Sequence, residues 1–417
     1  MEKNILFVAY GGGHARMIHP VIEAIRKTSA GPQITCHVLG LTTARRIFDE
    51  HGIKSFGMCS ILDKEKDKDA IEWGRHIAKT HHSSKTGIPL EESIAYLGLS
   101  FKDLVAKNGE ALAWRKLNQH GRHAFFPTTI MDRLFGKLNP DFVVATNSPR
   151  CEAAALKVAR QRKIPSLSVT DLFSVIKGYK LEADFVTFIN ETARDRFVKD
   201  GAVDPECSIF HCTGNPAFDC LIKSNFFPDR KFFENIENSA YRPIVLHADM
   251  PAYYCPDLDE PYRKTDQDIL LELDAVYQAT IKNNGIYLIR PHPSQGHLQY
   301  EEWLAGKKDA YLAADYDLHS LLANISLLVV RTSTVGLEAC FLRKKVIQID
   351  SKHGSDLPLA EMGIAWGSQR YEDLESLIFR AIGNDNEFEL MQEQLHQIFP
   401  HTPAAPKIAD LIIDNLP

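Results

Sequence analysis

The sequence lacks the features that mark several classes of protein. No apolar run approaches the roughly 20 residues that a membrane-spanning helix needs, and the apolar start of the chain, interrupted at Gly11, is typical of a buried strand rather than a signal peptide. There is no CxxC pair, no short-period repeat and no low-complexity tract. The 8 cysteines are scattered through apolar segments, which favours reduced structural thiols in a cytoplasmic protein.

Basic residues are not in excess either. Lys and Arg number 48 against 54 Asp and Glu, and the formal net charge of −6 provides no global basic surface for nucleic acid. Hydrophobic residues make up 44% and charged residues 24% of the chain, which excludes a disordered chain or a coiled coil. At about 150 residues per domain, a chain of 417 residues corresponds to two or three domains.

Short apolar runs alternate with helical patterns twice along the chain. The first half predicts strands over 4–9, 33–39, 141–145, 165–169 and 185–189, and helices over 17–28, 43–51 and 151–162. The second half predicts strands over 243–247, 286–290, 327–330 and 345–350, and helices over 266–283, 318–323 and 334–341. Strands that alternate with helices indicate parallel βαβ units, so the predicted fold class is α/β with two Rossmann-like domains.

The composition between these patterns predicts the domain boundaries. The first domain covers residues 1–223 and contains a long, mostly helical insertion at about 60–126, whose role the sequence leaves open. A polar and aromatic linker follows at 224–242, and the second domain covers 243–403. The last segment, 404–417, predicts a helix.

Three loops of the first half follow predicted strands and carry candidate functional groups. In YGGGHAR, Gly12 and Gly13 permit close approach of a ligand, Arg16 is a candidate cation, and His14 is a candidate general base or phosphate donor. In ATNSPR, Asn147 is a candidate ligand contact, with helix capping as the alternative. In SVTD, Asp171 is the best acidic candidate for deprotonating an acceptor hydroxyl, and a plain helix cap is the alternative.

The loops of the second half suit an anionic ligand. His247 and the segment RPHPS, with Arg290 and His292, end two predicted strands, and a histidine between two prolines is rigidly held. In RTSTVGLE, Ser333 and Thr334 lie at a predicted helix N-terminus, a natural site for a diphosphate. Glu338, one turn further on, is placed to bind the hydroxyls of a ribose; a surface Glu beside a hydroxyl cap is the alternative. No His, Cys or acidic cluster has the spacing of a metal site, so no metal and no cofactor are expected.

Together these motifs resemble the GT-B glycosyltransferase superfamily over nearly the whole chain. YGGGHAR followed by HPV resembles the glycine loop of MurG-type and UDP-GlcNAc 2-epimerase-like enzymes, and TGNPAFD resembles their TGN…D segment. RPHPS and RTSTVGLEA resemble the His-Pro and Ser/Thr motifs of bacterial capsule and teichoic-acid polymer transferases. The resemblance implies two Rossmann-like domains facing a cleft, a nucleotide-sugar donor on the second domain, an acceptor on the first, metal-independent chemistry, and a last helix that crosses back to the first domain.

The activity expected from this resemblance is glycosyl transfer from a nucleotide-activated donor, with UDP favoured, to a glycan or lipid-linked acceptor in surface-polysaccharide synthesis. His14, Asp171 and His292 are the expected catalytic residues, and His247, Arg290, Ser333, Thr334 and Glu338 the expected donor-binding residues. Peripheral association with the inner face of a membrane is left open.

Two differences from the motifs of these families rank the candidate activities. The first loop lacks the Arg-Pro-Glu of the epimerases, whose acidic pair is matched only by Asp171, and it lacks the Thr-Gly-Gly run of MurG. Nucleotide-sugar epimerisation or hydrolysis is therefore the second choice, and a non-catalytic binding subunit of the same fold is the third.

Overall fold

The computed structural model describes most of the chain. It covers residues 2–82, 87–171, 179–222, 229, 231–234, 236, 241–250, 253–255, 262–292, 295–314, 316–349, 357–399 and 403–417. The chain forms two compact units, one of Met1–Asp219 together with Thr402–Pro417, the other of Cys220–His401. Most of the predicted linker 224–242 and part of the motif RPHPS lie outside the described residues.

The first unit is built on a parallel sheet of six strands. Its strands are β1 (Lys3–Tyr10), β2 (Ile34–Leu41), β3 (Phe142–Thr146), β4 (Ser166–Val169), β5 (Phe185–Phe188) and β6 (Ile209–Cys212), in the order β2-β1-β3-β4-β5-β6. Its helices up to the end of the sheet are α1 (Gly11–Lys27), α2 (Ala44–Glu50), α3 (Lys68–His81), α4 (Leu90–Asn108), α5 (Glu110–His120), α6 (Thr128–Leu138), α7 (Cys151–Arg162) and α8 (Glu191–Lys199). A short helix, α9 (Asp219–Ile222), ends this run.

The predicted helical insertion consists of α3, α4 and α5. Two glycines let α3 and α4 pack backbone to backbone. A Cβ on Gly98 would lie 1.9 Å from the carbonyl oxygen of Ala70, and a Cβ on Gly74 would lie 2.2 Å from that of Ile94. Both distances are far below van der Waals contact, so only glycine fits at these two positions.

The second unit contains a parallel sheet of the same size. After α10 (Lys231–Glu234) come β7 (Ile244–Ala248), an antiparallel hairpin of β8 (Tyr253–Cys255) and β9 (Tyr262–Lys264), α11 (Asp266–Lys282), β10 (Ile286–Arg290), α12 (Leu298–Leu304), β11 (Ala310–Leu312), α13 (Leu318–Asn324), β12 (Leu327–Val330), α14 (Thr334–Phe341), β13 (Lys345–Ile349), β14 (Trp366–Ser368), α15 (Leu374–Gly383) and α16 (Asp385–Ile398). The strand order of the sheet is β11-β10-β7-β12-β13-β14.

The last helix, α17 (Ala404–Asp414), belongs to the first unit. Its buried residues Ile408, Ala409 and Ile412 join the core that α1 forms with the sheet. The Asp219 carboxylate accepts hydrogen bonds from the backbone N–H groups of Ala404 (2.7 Å) and Ala405 (2.8 Å), which caps the N-terminus of α17.

The predicted α/β class with two Rossmann-like domains is confirmed, and two details differ. Helix α1 begins at Gly11, whereas the sequence predicted a loop up to Arg16 and a helix only from Met17. The sequence did not predict three strands of the six-stranded sheets, β6, β11 and β14, each at an edge of its sheet, or the hairpin of β8 and β9. Among the described residues, no helix is long and apolar enough to span a membrane.

Candidate functional site

Both sheets reverse their winding direction at one point, and the candidate residues lie there. In the first unit the strand order reverses between β1 and β3, and in the second unit between β7 and β12. Ligands of open α/β sheets bind outside the carboxyl ends of the strands at such a switch point. His14, Asn147 and Asp171 follow β1, β3 and β4, three neighbouring strands, while Ser333 and Thr334 follow β12.

In the first unit, His14 lies between two carboxylates. Its Nδ1 is 3.0 Å from Oε1 of Glu152, and its Nε2 is 3.5 Å from Oδ2 of Asp171. The same Glu152 oxygen accepts hydrogen bonds from the Thr146 hydroxyl (2.6 Å) and from the backbone N–H of Tyr10 (2.8 Å). The Asp171 carboxylate accepts a further hydrogen bond from Nδ2 of Asn147 (2.8 Å). His14 is therefore held on both sides, by a fully buried carboxylate and by a partly exposed one.

The charges of this triad are mutually dependent. Burial alone would lower the pKa of His14, but Glu152 and Asp171 outweigh it and raise the pKa to about 10. Burial opposes the ionisation of both carboxyls, yet His14 holds the pKa of Glu152 and of Asp171 below their ordinary values. At neutral pH the group is an imidazolium between two carboxylates. In this state His14 can donate a proton or a hydrogen bond, and the accepting group is Asp171, whose side chain is 23% exposed.

The other residues predicted for this part of the first unit have different environments. Gly12 donates its N–H to the Thr43 hydroxyl at 3.0 Å, so this amide has a partner within the protein. Gly13 faces open space, since nothing lies within 4 Å of the position of a Cβ there. Arg16 is exposed on α1. Asn147 orients Asp171, and its own Oδ1 is shielded from solvent without a hydrogen-bond partner among the described residues.

In the second unit, the N-terminus of α14 presents the predicted hydroxyls. Ser333 is the N-cap, and its hydroxyl accepts a hydrogen bond from the N–H of Val335 at 3.3 Å. Thr334 and Glu338 are partly exposed on the same helix. The Glu338 carboxylate accepts a hydrogen bond of 2.7 Å from Nε2 of His319 on α13. The carboxylate is thereby held in one orientation while 15% of its side chain remains exposed.

Arg290 is the last residue of β10 and His292 follows the strand; Arg290 is half-buried and His292 is exposed. One guanidinium nitrogen of Arg290 donates to the carbonyl oxygens of Ala313 (2.9 Å) and Tyr316 (2.7 Å). Arg290 therefore fixes the segment that follows β11. His292 is exposed, and its backbone N–H donates to the side-chain carbonyl of Gln295 at 3.0 Å.

The sequence predicted His247 as a donor-binding residue at a strand end, but the residue is buried inside the second unit. Its side chain is fully buried, with Nδ1 2.9 Å from the Tyr287 hydroxyl and Nε2 3.3 Å from Oε1 of Glu272. His247 is the last residue but one of β7, and its side chain points into the unit rather than past the carboxyl end of the strand. A direct contact of this imidazole with a nucleotide would require the interior of the unit to open.

His247 belongs to a buried charged cluster that the sequence did not reveal. The ammonium of Lys264 lies 3.1 Å from Asp249 and 3.1 Å from Glu272, and all three side chains are buried. Arg331 forms an ion pair with Glu272 from the other side. Because Arg331 shortly precedes Ser333, this pair anchors the loop that leads into α14. Burial opposes the ionisation of Glu272, but His247, Arg331 and Lys264 lower its pKa.

Two groups of described residues contain three metal-ligand side chains close together. In the group of His247, Asp249 and Glu272, the Lys264 ammonium already lies between the two carboxylates. In the group of His19, Glu23 and His51, the two imidazole rings are stacked 3.6 Å apart at an angle of 19°. The lone pair of an imidazole nitrogen lies in the plane of its ring, so these two stacked rings hold their lone pairs in nearly parallel planes, whereas two ligands of one ion must converge on it.

Four residues of these clusters were not predicted from the sequence: Glu152, Lys264, Glu272 and His319. Glu152 is the second residue of a helix that begins CEAAAL, where an acidic residue is ordinarily explained by its favourable interaction with the helix dipole. Its partner His14 is 138 residues away. A buried acid inside an alanine-rich run was the one available signal, because full burial of a carboxylate requires a paired cation or hydrogen-bond donors.

Comparison with known proteins shows the fold. No family model and no curated protein matches the chain. A UDP-GlcNAc 2-epimerase from Neisseria meningitidis, solved with UDP-GlcNAc bound, superposes with a TM-score of 0.61 at 12% identity, over 99% of this chain and 100% of that one. A glycosyltransferase from Rickettsia africae (TM-score 0.56) and MurG from Acinetobacter baumannii (0.52) are both 14% identical and each comparison covers 99% of both chains. The fold is of the GT-B type, which confirms the predicted resemblance to epimerase-like and MurG-like enzymes.

Proposed function

We propose that the protein is a glycosyltransferase that moves a sugar from a nucleotide-activated donor to an acceptor hydroxyl. The observation that carries the proposal is the ionised, partly exposed Asp171 carboxylate at the end of β4, paired with His14, which the buried Glu152 holds. Such a carboxylate at the switch point of an α/β sheet is suited to accept a proton from an acceptor. One fold neighbour is an epimerase solved with UDP-GlcNAc bound and another is a glycosyltransferase, which supports the same assignment.

In the proposed reaction, Asp171 is the general base. As the acceptor oxygen forms its bond to the anomeric carbon, the hydroxyl proton passes to Asp171, and the bond between that carbon and the donor phosphate breaks. The electron pair of the broken bond stays on the leaving nucleotide. His14 is already protonated, so its role is to donate a hydrogen bond to Asp171 and fix its orientation. The sequence left the choice of base between His14 and Asp171 open; the charge state of the triad favours Asp171.

We assign the leaving nucleotide to the second unit. The N–H groups at the start of α14 and the hydroxyls of Ser333 and Thr334 would neutralise the charge that develops on the diphosphate. Glu338, held by His319, would accept hydrogen bonds from the ribose hydroxyls. His292, exposed after β10, would donate to a phosphate oxygen, and Arg290 would position the adjoining segment. No metal enters this scheme, since the helix N-terminus supplies the positive potential.

The wider role we propose is bacterial surface-polysaccharide or glycoconjugate synthesis at the cytoplasmic side of the cell, with a glycan or lipid-linked acceptor. The support for it is the resemblance of RPHPS and RTSTVGLEA to the motifs of capsule and teichoic-acid polymer transferases.

The donor can be identified by calorimetric titration with UDP, CMP, CDP, GDP and ADP. We expect one nucleotide to bind, with UDP favoured, and a Ser333→Ala/Glu338→Ala double variant to lose that binding. The exposed Glu372 offers a matched control, because a Glu372→Ala variant removes a carboxylate from the same unit that is not on α14. Failure of every nucleotide to bind the folded protein would contradict the transferase proposal and favour a non-catalytic subunit.

A second candidate, epimerisation at C2 of a nucleotide sugar, is supported by a specific observation. The structure supplies a second carboxylate, Glu152, beside His14, where the sequence had offered Asp171 alone. Epimerisation must break the C2–H bond, whereas glycosyl transfer leaves it intact. Incubation of UDP-GlcNAc with the protein in D2O, followed by NMR, separates the two: deuterium at C2 without added acceptor indicates the epimerase.

A further inference from the structure

A cavity of about 150 Å³ lies within the first unit, beside the helical insertion. Residues of α3, α4 and the segment after α5 line it, among them His82, Glu92, Tyr96 and Arg122. Tyr96 is only 5% exposed, and its hydroxyl has no hydrogen-bond partner among the described residues. The cavity therefore has both apolar and polar walls, and the Tyr96 hydroxyl is buried in its wall.

Two arginines contact Tyr10, and one of them, Arg122, lines this cavity. Arg122 lines the cavity and donates to the Tyr10 hydroxyl at 3.3 Å. The guanidinium of Arg150 lies over the same ring, 4.0 Å from its centre. Neither arginine forms an ion pair with a carboxylate in the part of the chain that the structure describes, and Nε of Arg150 is buried without a partner there.

The one acidic group that lines the cavity does not neutralise these arginines. The Glu92 carboxylate accepts hydrogen bonds from the backbone N–H groups of Met58 and Cys59, and its nearest cation is Arg45 at 3.8 Å. Glu92 therefore forms no ion pair with either arginine. The charges of Arg150 and Arg122 do act on the neighbouring His123, whose pKa is lowered first by burial and then by these two guanidiniums.

Tyr10 connects the arginine pair to the proposed catalytic group. It is the last residue of β1, and its backbone N–H donates to the same Glu152 oxygen that holds His14. Arg150 lies two residues before Glu152, at the start of α7. Only Tyr10 therefore lies between a ligand in contact with the arginines and Glu152, the carboxylate that holds His14.

We propose that the acceptor bound by the first unit carries an anionic group, a phosphate or a carboxylate, which Arg122 and Arg150 recognise at the edge of the cavity. A guanidinium offers a planar fork of N–H donors that matches both oxyanions, and a half-buried guanidinium without a carboxylate partner gains most from such a ligand. The inference rests on the proposed glycosyl transfer, because it identifies the bound molecule as the acceptor. Binding of the anion itself can be measured without any turnover.

The test is calorimetric titration of the full-length protein with three probes that share one ring. Glucose 6-phosphate presents a phosphate, glucuronate a carboxylate, and glucose neither. We expect at least one anionic probe to bind and glucose not to bind. In an Arg122→Gln/Arg150→Gln double variant, the affinity for the anionic probe should fall at least tenfold, while Arg75→Gln, which removes an exposed arginine from α3, should leave it unchanged.

The two anionic probes show whether the site prefers a phosphate or a carboxylate. Binding of UDP, measured separately, tests the proposed transferase function. An Arg122→Lys variant, which keeps the charge but not the fork, should weaken binding less than Arg122→Gln and serves if the double variant does not fold. The inference is overturned if neither anionic probe binds, or if the double variant binds the anion as tightly as the unchanged protein. If the anion binds but no nucleotide does, the arginine site stands as an anion site and the proposed transferase function fails.

Discussion

At the scale of single residues, the triad of Glu152, His14 and Asp171 shows how two carboxylates and one histidine stabilise each other. A fully buried carboxylate is costly unless it is paired and hydrogen-bonded. Oε1 of Glu152 meets both conditions, because it accepts from Thr146 and from the Tyr10 N–H as well as from His14. The consequence of this arrangement is that His14 is protonated at neutral pH, which makes it a poor base and a good donor.

Replacing Glu152 by glutamine should lower the pKa of His14. The wild-type imidazole is expected to remain protonated up to about pH 10, so its NMR signals should not titrate between pH 5 and 9. The glutamine side chain keeps the shape and an acceptor oxygen but removes the negative charge that opposes the effect of burial. The pKa should move down by about one unit or more, measured on 13C-labelled histidine.

Glu23→Gln is the matched control, since Glu23 contacts His19 and His51 rather than His14. An unchanged His14 titration in Glu152→Gln, with a normal fold, would mean that Glu152 does not set the charge of the triad.

The stability of the first unit should depend on pH through His14. Its pKa is about 10 in the folded protein against an ordinary value of 6.5. The stabilisation is therefore complete below pH 6.5 and is lost as the pH rises toward 10, at a rate of up to about 1.4 kcal/mol per pH unit. In a His14→Gln variant this component is missing, so the difference in unfolding free energy between wild type and variant should shrink between pH 7 and pH 10.

Urea unfolding can be followed on the first unit alone if Trp303 and Trp366 are replaced by Phe, which leaves Trp73 and Trp114 as reporters. His120→Gln, at an exposed position of α5, provides the control. A difference that stays constant or grows with pH would contradict the assignment of a raised pKa to His14.

At the scale of helices and strands, the sequence predicted the central strands of both six-stranded sheets and the edge strand β2, and it missed the other three edge strands. Central strands such as Phe142–Thr146 are buried on both faces and form continuous apolar runs. The edge strand Ile209–Cys212 is exposed or half-buried throughout, and Ala310–Leu312 is half-buried and three residues long, so neither produces that signal. Helix α1 was predicted to begin too late because three glycines indicate a loop, whereas the buried face from Ala15 to Ile25 is what stabilises the helix.

Replacement of Glu338, the carboxylate on α14, tests the proposed donor site. Glu338→Ala removes the acceptor that we assign to the ribose hydroxyls, and the loss of a hydrogen bond to a charged group is worth about 1.5–3 kcal/mol. We expect the KM for the donor to rise by roughly tenfold or more, with a smaller effect on kcat. Steady-state kinetics with the identified donor measure both, and Glu372→Ala should change neither. A large loss of kcat at unchanged KM would remove Glu338 from the ribose role.

At the scale of the whole molecule, the chain forms the same kind of parallel six-stranded sheet twice, once in each unit. Each unit has six parallel strands, and each places its candidate residues where the strand order reverses. Local sequence patterns reveal such units well, because each strand and helix carries its own signal. They do not reveal Glu152 beside His14 or Lys264 between Asp249 and Glu272, because these contacts depend on which strand ends the fold brings together.

The assignment of α17 to the first unit makes a prediction that the order of the chain alone would not suggest. Ile408 and Ile412 are fully buried in the core of the first unit, and burial of one isoleucine is worth about 1.5–3 kcal/mol. Deletion of residues 403–417 should therefore destabilise a unit formed almost entirely by the first 219 residues. By hydrogen exchange, amides of α1 should lose protection, while those of α11 in the second unit should keep it.

The Asp219→Asn variant tests whether the first unit depends on α17 without removing that helix. It weakens the cap that accepts the N–H groups of Ala404 and Ala405, a loss of about 1 kcal/mol for a typical N-cap. The protection of α17 should fall, and that of α1 should fall less than in the deletion. Asp410→Asn, at an exposed position of the same helix, should have no such effect. Full protection of α1 in the deletion variant would show that the core of the first unit is complete without its last helix.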